Sequence, residues 1–160
     1  MALAVGDRIP SITIRTMGPE GPVDITTDEI FTGKTVVLFA VPGAFTRTCS
    51  SRHLPGFVRH ARELKAKGVD TIACIATNDA WVMAAWGRDH EVGHDILMLG
   101  DGNGDFTRAV GMEGDFRANG LGLRSRRYAM VVKDGVIATF NVEEPGAFAV
   151  SSAEAMLAAL

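Results

Sequence analysis

The chain has 160 residues, 47% hydrophobic and 22% charged, the length and composition of one soluble domain that buries about 70% of its unfolded surface without disulfide staples. Sixteen basic against nineteen acidic residues give a net charge of −3, which excludes a general nucleic-acid binder held by basic excess. No apolar run approaches the roughly 20 residues that cross a bilayer, which excludes a membrane protein of helical spans. Residues 1–7 carry neither a basic segment nor a secretory apolar core, so a cytoplasmic protein is expected, with residues 1–160 as one domain.

In chain order, residues 35–41 are a continuous apolar, β-rich run that predicts a strand buried on both faces. It ends at Pro42-Gly43. Leu54, Phe57, Val58, Ala61 and Leu64 then recur at helical spacing, with Gly68 placed for a left-handed cap. Residues 69–77 predict a second buried strand, and Asn78-Asp79 cap a helix carrying Trp81, Val82, Ala85 and Trp86. Residues 96–99 form a third short strand, whereas 111–122 are glycine-rich and without period. Residues 128–132 and 136–142 are β-rich and joined through Lys133-Asp134-Gly135, a hairpin signal. Ser151-Ser152-Ala153-Glu154 has capping-box spacing ahead of Met156, Leu157 and Leu160. The expected fold class is α/β, a central mixed sheet flanked by helices.

Cys49 and Cys74 are too few for a disulfide scaffold or a thiolate zinc site. Cys74 stands mid-strand among Thr71, Ile72, Ala73, Ile75 and Ala76 and reads as inert core. Cys49 follows a buried strand and a Pro-Gly turn and opens a helix, where unpaired N–H groups and the helix dipole favour a thiolate. A cysteine met at random is more often a small buried hydrophobe. Thr46, Arg47, Thr48, Ser50, Ser51 and Arg52 instead make this turn polar and partly cationic, the setting of reactive cysteines.

Pro42, Thr46 and Cys49 spell P-x-x-x-T-x-x-C inside Val41-Pro42-Gly43-Ala44-Phe45-Thr46-Arg47-Thr48-Cys49-Ser50, and His53-Leu54-Pro55-Gly56-Phe57 follows. This stretch resembles the active site of the peroxiredoxins, in particular their atypical type II branch. The similarity continues through 74–79, Trp86-Gly87-Arg88 and 127–132. The resemblance implies a thioredoxin-like fold and a thiol peroxidase that reduces hydrogen peroxide and alkyl hydroperoxides through a sulfenic acid on Cys49. It implies that the Thr46 hydroxyl and the Cys49 N–H hold the peroxide oxygens, that Pro42 shields the site from water, and that Arg127, rather than Arg124 or Arg126, supplies the cation. It also implies a homodimer, with Phe45, Trp81 and Trp86 as exposed aromatics on its face. Arg47 stands where relatives often carry proline, a departure that bears on pocket access. Some relatives restore the sulfenic acid with a cysteine in the stretch matching 149–152. Ser151 and Ser152 lie there instead, so an external thiol is expected, glutathione with glutaredoxin ahead of thioredoxin.

The chemistry explains the residue types. A thiol of pKa about 8.5 is only a few per cent ionised at pH 7, so full ionisation gains roughly 30-fold. The rest of a fast peroxide reaction must come from donors aimed at the departing oxygen, each worth on the order of 10² to 10³.

Other constellations compete. His53, four residues after Cys49 on the same helix face, has the spacing of a Cys-His hydrolase, though such dyads usually meet across separate elements. His90-Glu91-Val92-Gly93-His94 matches H-E-x-x-H, which needs both histidines on one helix, and Gly93 interrupts it. Asp101-Gly102-Asn103-Gly104-Asp105 imitates a calcium loop, but Phe106 and Met112 occupy its glycine and glutamate positions, so it reads as a turn into a short helix. No metal or other cofactor is expected. A redox-sensing or holdase-like module, in which oxidation of Cys49 alters partner binding, is the non-enzymatic alternative.

Overall fold

The computed structural model describes residues 2–160. At its centre β3 (Thr35–Ala40), β4 (Thr71–Ala76) and β5 (Leu97–Gly100) run parallel. Their continuous apolar runs follow from burial on both faces. Val37, Phe39, Ile72, Cys74 and Met98 point to one core layer and Val36, Leu38, Ala73, Ile75 and Leu99 to the other, the two-residue alternation of a pleated strand. The first layer is closed by α2 (Leu54–Ala66), α3 (Ala80–Asp89) and α5 (Ala153–Ala159), through Leu54, Phe57, Met83, Trp86 and Met156. The second is closed by α1 (Thr27–Phe31) and α4 (Asp105–Ala109), through Ile30, Phe31 and Phe106.

Antiparallel strands complete the sheet on both sides. β8 (Tyr128–Lys133) pairs with β3 and carries β9 (Val136–Val142) at the edge. Asp134 (φ 49°) and Gly135 (φ 77°) make the tight turn between them, and positive φ at both positions explains Asp-Gly there. On the opposite side, β1 (Thr13–Gly18) pairs with β5 and β2 (Gly21–Thr26), giving the order β2-β1-β5-β4-β3-β8-β9. The expected α/β mixed sheet flanked by helices is the fold observed. Residues 6–9 lace along β9, with Gly6 N–H on Ile137 O at 2.8 Å, Ile137 N–H on Asp7 O at 2.9 Å and Ile9 N–H on Gly135 O at 2.8 Å. Among the described residues no helix is long and apolar enough to cross a membrane.

Three expectations are corrected. The segment 111–122 is not irregular throughout, because β6 (Glu113–Asp115) pairs with β7 (Leu123–Ser125) around a 3-10 turn at Arg117–Asn119. The cap of α5 is Ser152, whose Oγ accepts from Ala155 N–H at 3.1 Å. Ser151, one residue earlier, turns inward and is buried. Trp86 is not an exposed aromatic: it is fully buried, and its Nε1–H donates to Ser50 Oγ at 3.0 Å.

Candidate active site

The chain leaves β3 through Val41 and turns at Pro42-Gly43. Ala44 N–H donates to Asn78 Oδ1 at 2.8 Å and Arg124 Nη1 to Pro42 O at 3.1 Å, which fixes the turn against the loop after β4 and against β7. A Cβ at Gly43 would stand 2.7 Å from Arg124 Nη1, so a larger residue there would displace the guanidinium that holds the turn. Phe45 is held in the left-handed region at φ 64°, a strained conformation for a bulky residue and of the kind stored at functional sites. The Cys49 N–H bonds no backbone carbonyl among the described residues, whereas the next N–H, of Ser50, donates to Thr46 O at 2.9 Å.

Cys49–His53 form a π-helical turn that runs directly into α2, with Leu54 N–H on Cys49 O. Single π turns of this kind cluster at functional sites. The Cys49 sulfur is buried, and two donors converge on it: Thr46 Oγ1 at 3.0 Å and Arg127 Nη2 at 3.1 Å. Thr46 Oγ1 also lies 2.7 Å from Gly43 O, so its single proton serves one acceptor at a time. A groove of about 590 Å³ opens beside the sulfur, with Pro42, Thr46 and Arg127 at its foot and Phe116, Leu121 and Pro145 among its apolar walls. The four residues singled out in the sequence, Pro42, Thr46, Cys49 and Arg127, are therefore neighbours in space. Of the three arginines, Arg127 alone reaches the sulfur: Arg124 holds Leu121 O and Pro42 O, and Arg126 holds Glu143 O.

His53 is engaged differently from a hydrolase base. Its Nε2 lies 2.8 Å from Ser151 O and its Nδ1 2.8 Å from Arg127 Nη1. A carbonyl only accepts and a guanidinium only donates, so the proton sits on Nε2 and the lone pair of Nδ1 faces the arginine. Burial, reinforced by the Arg127 charge, pushes its pKa down to about 3, so the ring is neutral and neither nitrogen is free for the thiol. Sequence spacing pointed to His53 but not to this role, which depends on a residue 74 positions away. No sequence motif marks Phe148. Its ring centroid lies 4.9 Å from that of His53 and carries the guanidinium of Arg52 at 4.7 Å.

The other motifs lie apart from this centre. α3 stops at Asp89, His90 caps it, and Glu91 and Gly93 both turn left-handed at φ 55°, so His90 and His94 do not share a helix. The Asp101 carboxylate accepts from Phe106 N–H, Thr107 N–H and the Thr107 hydroxyl, capping α4. Among the described residues no group of three or more His, Cys, Asp or Glu side chains is disposed to hold a metal. Cys74 is buried in the same core layer as Cys49, and burial pushes its thiol pKa well up.

The Redoxin family profile matches residues 4–157. Peroxiredoxin-2E, chloroplastic, of Arabidopsis thaliana is 51% identical over 163 residues, covering 99% of this chain and 70% of that protein. Peroxiredoxin-2B of the same plant is 44% identical over 159 residues, covering 99% and 98%. Among solved structures, reduced Prx3 of Vibrio vulnificus in complex with hydrogen peroxide superposes with a TM-score of 0.94 at 52% identity, covering 98% of both chains. With a buried cysteine placed under a threonine and an arginine on a thioredoxin-like fold, this chain belongs to the redoxin family and, within it, to the peroxiredoxins, which are thiol peroxidases.

Proposed function

We propose that Cys49 attacks peroxide as a thiolate and that hydrogen peroxide and small alkyl hydroperoxides are its substrates. The observation that carries this reading is the convergence of Thr46 Oγ1 and Arg127 Nη2 on one buried sulfur, with both of those residues also lining an open groove. The sulfur bonds to one peroxide oxygen, the O–O bond breaks, and its electron pair leaves on the other oxygen as hydroxide or alkoxide. That oxygen takes a proton from solvent to give water or an alcohol, and Cys49 becomes a sulfenic acid. Negative charge moves from sulfur to the departing oxygen, so a fixed cation at Arg127 spans the path of that charge and counts most in the transition state. The Thr46 hydroxyl, its proton on Gly43 O, turns a lone pair to the peroxide O–H. Pro42 beside Thr46 has no N–H to hold water, and the apolar groove walls suit an alkyl tail.

For recycling, a glutathione thiol condenses with the sulfenic acid, releasing water and forming a mixed disulfide on Cys49. A second thiol, from glutaredoxin or glutathione, then attacks that disulfide and frees Cys49. Thioredoxin is the alternative reductant. Serines at 151 and 152 and the buried, high-pKa thiol of Cys74 favour the external route. Both cysteines are free, which suits the reduced glutathione pool of the cytoplasm, where we place the cycle. We place a homodimer contact at the exposed Phe45 (53%) and Trp81 (63%). Stopped-flow peroxide consumption by Cys49→Ser beside the wild type tests the chemistry, and an undiminished rate ends it. Turnover with glutathione, glutaredoxin and thioredoxin supplied separately decides the reductant. Sedimentation showing only monomer at micromolar concentration removes the dimer.

A further inference from the structure

Glu143, 4% exposed just beyond β9, gathers an unusual set of donors. Its Oε2 accepts from the N–H groups of Ala149 at 2.8 Å, Val150 at 2.9 Å and Ser151 at 2.8 Å, and from the Ser151 hydroxyl at 2.7 Å. One carboxylate thereby closes residues 143–151 into a loop. Burial alone raises the pKa of this carboxyl, but the hydrogen bonds from Ser151, Ala149 and Val150 together outweigh it and hold the group below its ordinary value. Among the described residues no ion pair neutralises the charge. A buried charge held by three amides and one hydroxyl, with no cation paired to it, is an expensive way to close a loop.

The loop ends where the active site begins. Ser151, clasped by Glu143 through its N–H and hydroxyl, turns its carbonyl to His53 Nε2 at 2.8 Å. His53 Nδ1 receives Arg127 Nη1 at 2.8 Å, and Arg127 Nη2 reaches the Cys49 sulfur at 3.1 Å. Glu143 also grips Arg127 from behind, its own N–H donating to Arg127 O at 3.0 Å. The loop carries Phe148, whose ring packs tilted against His53 at 4.9 Å between centroids and lies 6.0 Å from the Arg127 guanidinium.

We propose that Glu143 is a positioning residue for the peroxidase reaction: its clasp on 149–151 fixes the Ser151 carbonyl, which holds His53 as the Nε2–H tautomer, whose Nδ1 lone pair keeps Arg127 on the sulfur. If the carbonyl moves, the imidazole loses the acceptor that sets its tautomer. With the proton on Nδ1 it would point a donor at a donor and release Arg127. This inference rests on the peroxidase reading of Cys49 and Arg127.

The test is Glu143→Gln in the full chain, made alone and in an Arg127→Gln background. It is read by the second-order rate with hydrogen peroxide and by the downfield proton NMR signal of the His53 Nε2–H. The single substitution is expected to lower the rate roughly tenfold or more, the size of effect that misplacing a reacting group produces, and to broaden the His53 signal. In the Arg127→Gln background the same change is expected to alter the rate by less than about twofold, because residues acting through one group are not additive. Ser151→Ala, which removes only the hydroxyl donor, is expected to repeat the pattern at smaller amplitude, and it carries the test if Glu143→Gln does not fold. Equal losses in both backgrounds, an unchanged rate, or a sharp His53 signal in a slowed variant would overturn the proposal. If Arg127→Gln itself keeps the full rate, the peroxidase role of Arg127 fails instead, and the His53 signal alone then decides the clasp.

Discussion

Replacing Arg127 by glutamine removes a charge 3.1 Å from the Cys49 sulfur. At an effective dielectric of about 20, the gross attraction between two unit charges at that separation is roughly 5 kcal/mol. The arginine is only half-buried, and a glutamine amide restores part of the dipole. A net loss nearer 2–3 kcal/mol, the worth of a hydrogen bond to a charged group, is the sounder figure. At 1.36 kcal/mol per decade, that is about a hundredfold in the peroxide rate. The substitution also leaves Nδ1 of buried His53 without its charged donor, at about 1–3 kcal/mol of stability, so rates must be compared well below the melting transition of the variant. Stopped-flow consumption of hydrogen peroxide at fixed pH gives the comparison. Arg127→Lys should fall between the two, because one ammonium cannot bridge Sγ and Nδ1 as a planar fork does. A folded Arg127→Gln protein whose rate stays within about threefold of the wild type would refute the assignment of transition-state charge to this residue.

Mass spectrometry after one equivalent of peroxide and excess glutathione should show the adduct on Cys49, and Cys74→Ser should keep steady turnover; a Cys49 to Cys74 disulfide, with turnover lost in Cys74→Ser, would contradict both. Because the folded-state pKa of His53 lies near 3 against 6.5 for the free group, the unfolded chain binds the extra proton between those values. Stability should therefore fall with pH from about 6.5 downward, by up to about 1.4 kcal/mol per pH unit from this group. His53→Gln should flatten that limb in urea titrations at pH 7 and 5, and an unchanged slope would remove the histidine from the account. The raised pKa of half-buried His60, bonded by Glu63 and Glu154, acts in the opposite sense, its contribution present at low pH and lost as pH rises through its folded pKa. Gly100→Ala puts a Cβ 2.7 Å from Ala80 N and 2.8 Å from the Asp79 carbonyl carbon. It should lose roughly 1–3 kcal/mol, visible as a drop of several degrees in Tm.

How far each part could be read from sequence follows from where its partners lie. β3, β4 and β8 are legible because burial writes continuous β-rich runs, and half-buried β9 because Asp134-Gly135 marks the turn that leads into its own β-rich run. The β1–β2 hairpin and the β6–β7 pair are not, because strands such as Gly21–Thr26 and Glu113–Asp115 are partly exposed and rich in Gly, Pro and charge. At α5 the capping-box spacing points to Ser151, yet the cap is Ser152. The choice fell to Ser152 because Glu143 claims Ser151, a partner eight residues back that helix spacing does not reveal. Cys49, Thr46 and Pro42 lie within eight positions and announce themselves as a motif. By contrast, His53 and Glu143 act through contacts from separate elements, which only the folded chain brings together.

The lacing of residues 6–9 along β9 closes a route to assembly. An open sheet edge is a template for strand addition by another chain, yet here the N–H and C=O of Ile137 and the carbonyl of Gly135 are already taken. Farther along, Asn141 Nδ2 ties the same strand to Val150 O at 3.0 Å. At the far edge, β2 begins Gly21-Pro22, whose proline has no N–H to donate, and Asp24 engages Arg15 at 2.9 Å. Strand addition at that stretch of β9 would have to displace residues 6–9, and at β2 it would meet a proline with no N–H to donate. Edge pairing, in a dimer or in a fibre, is disfavoured at both places.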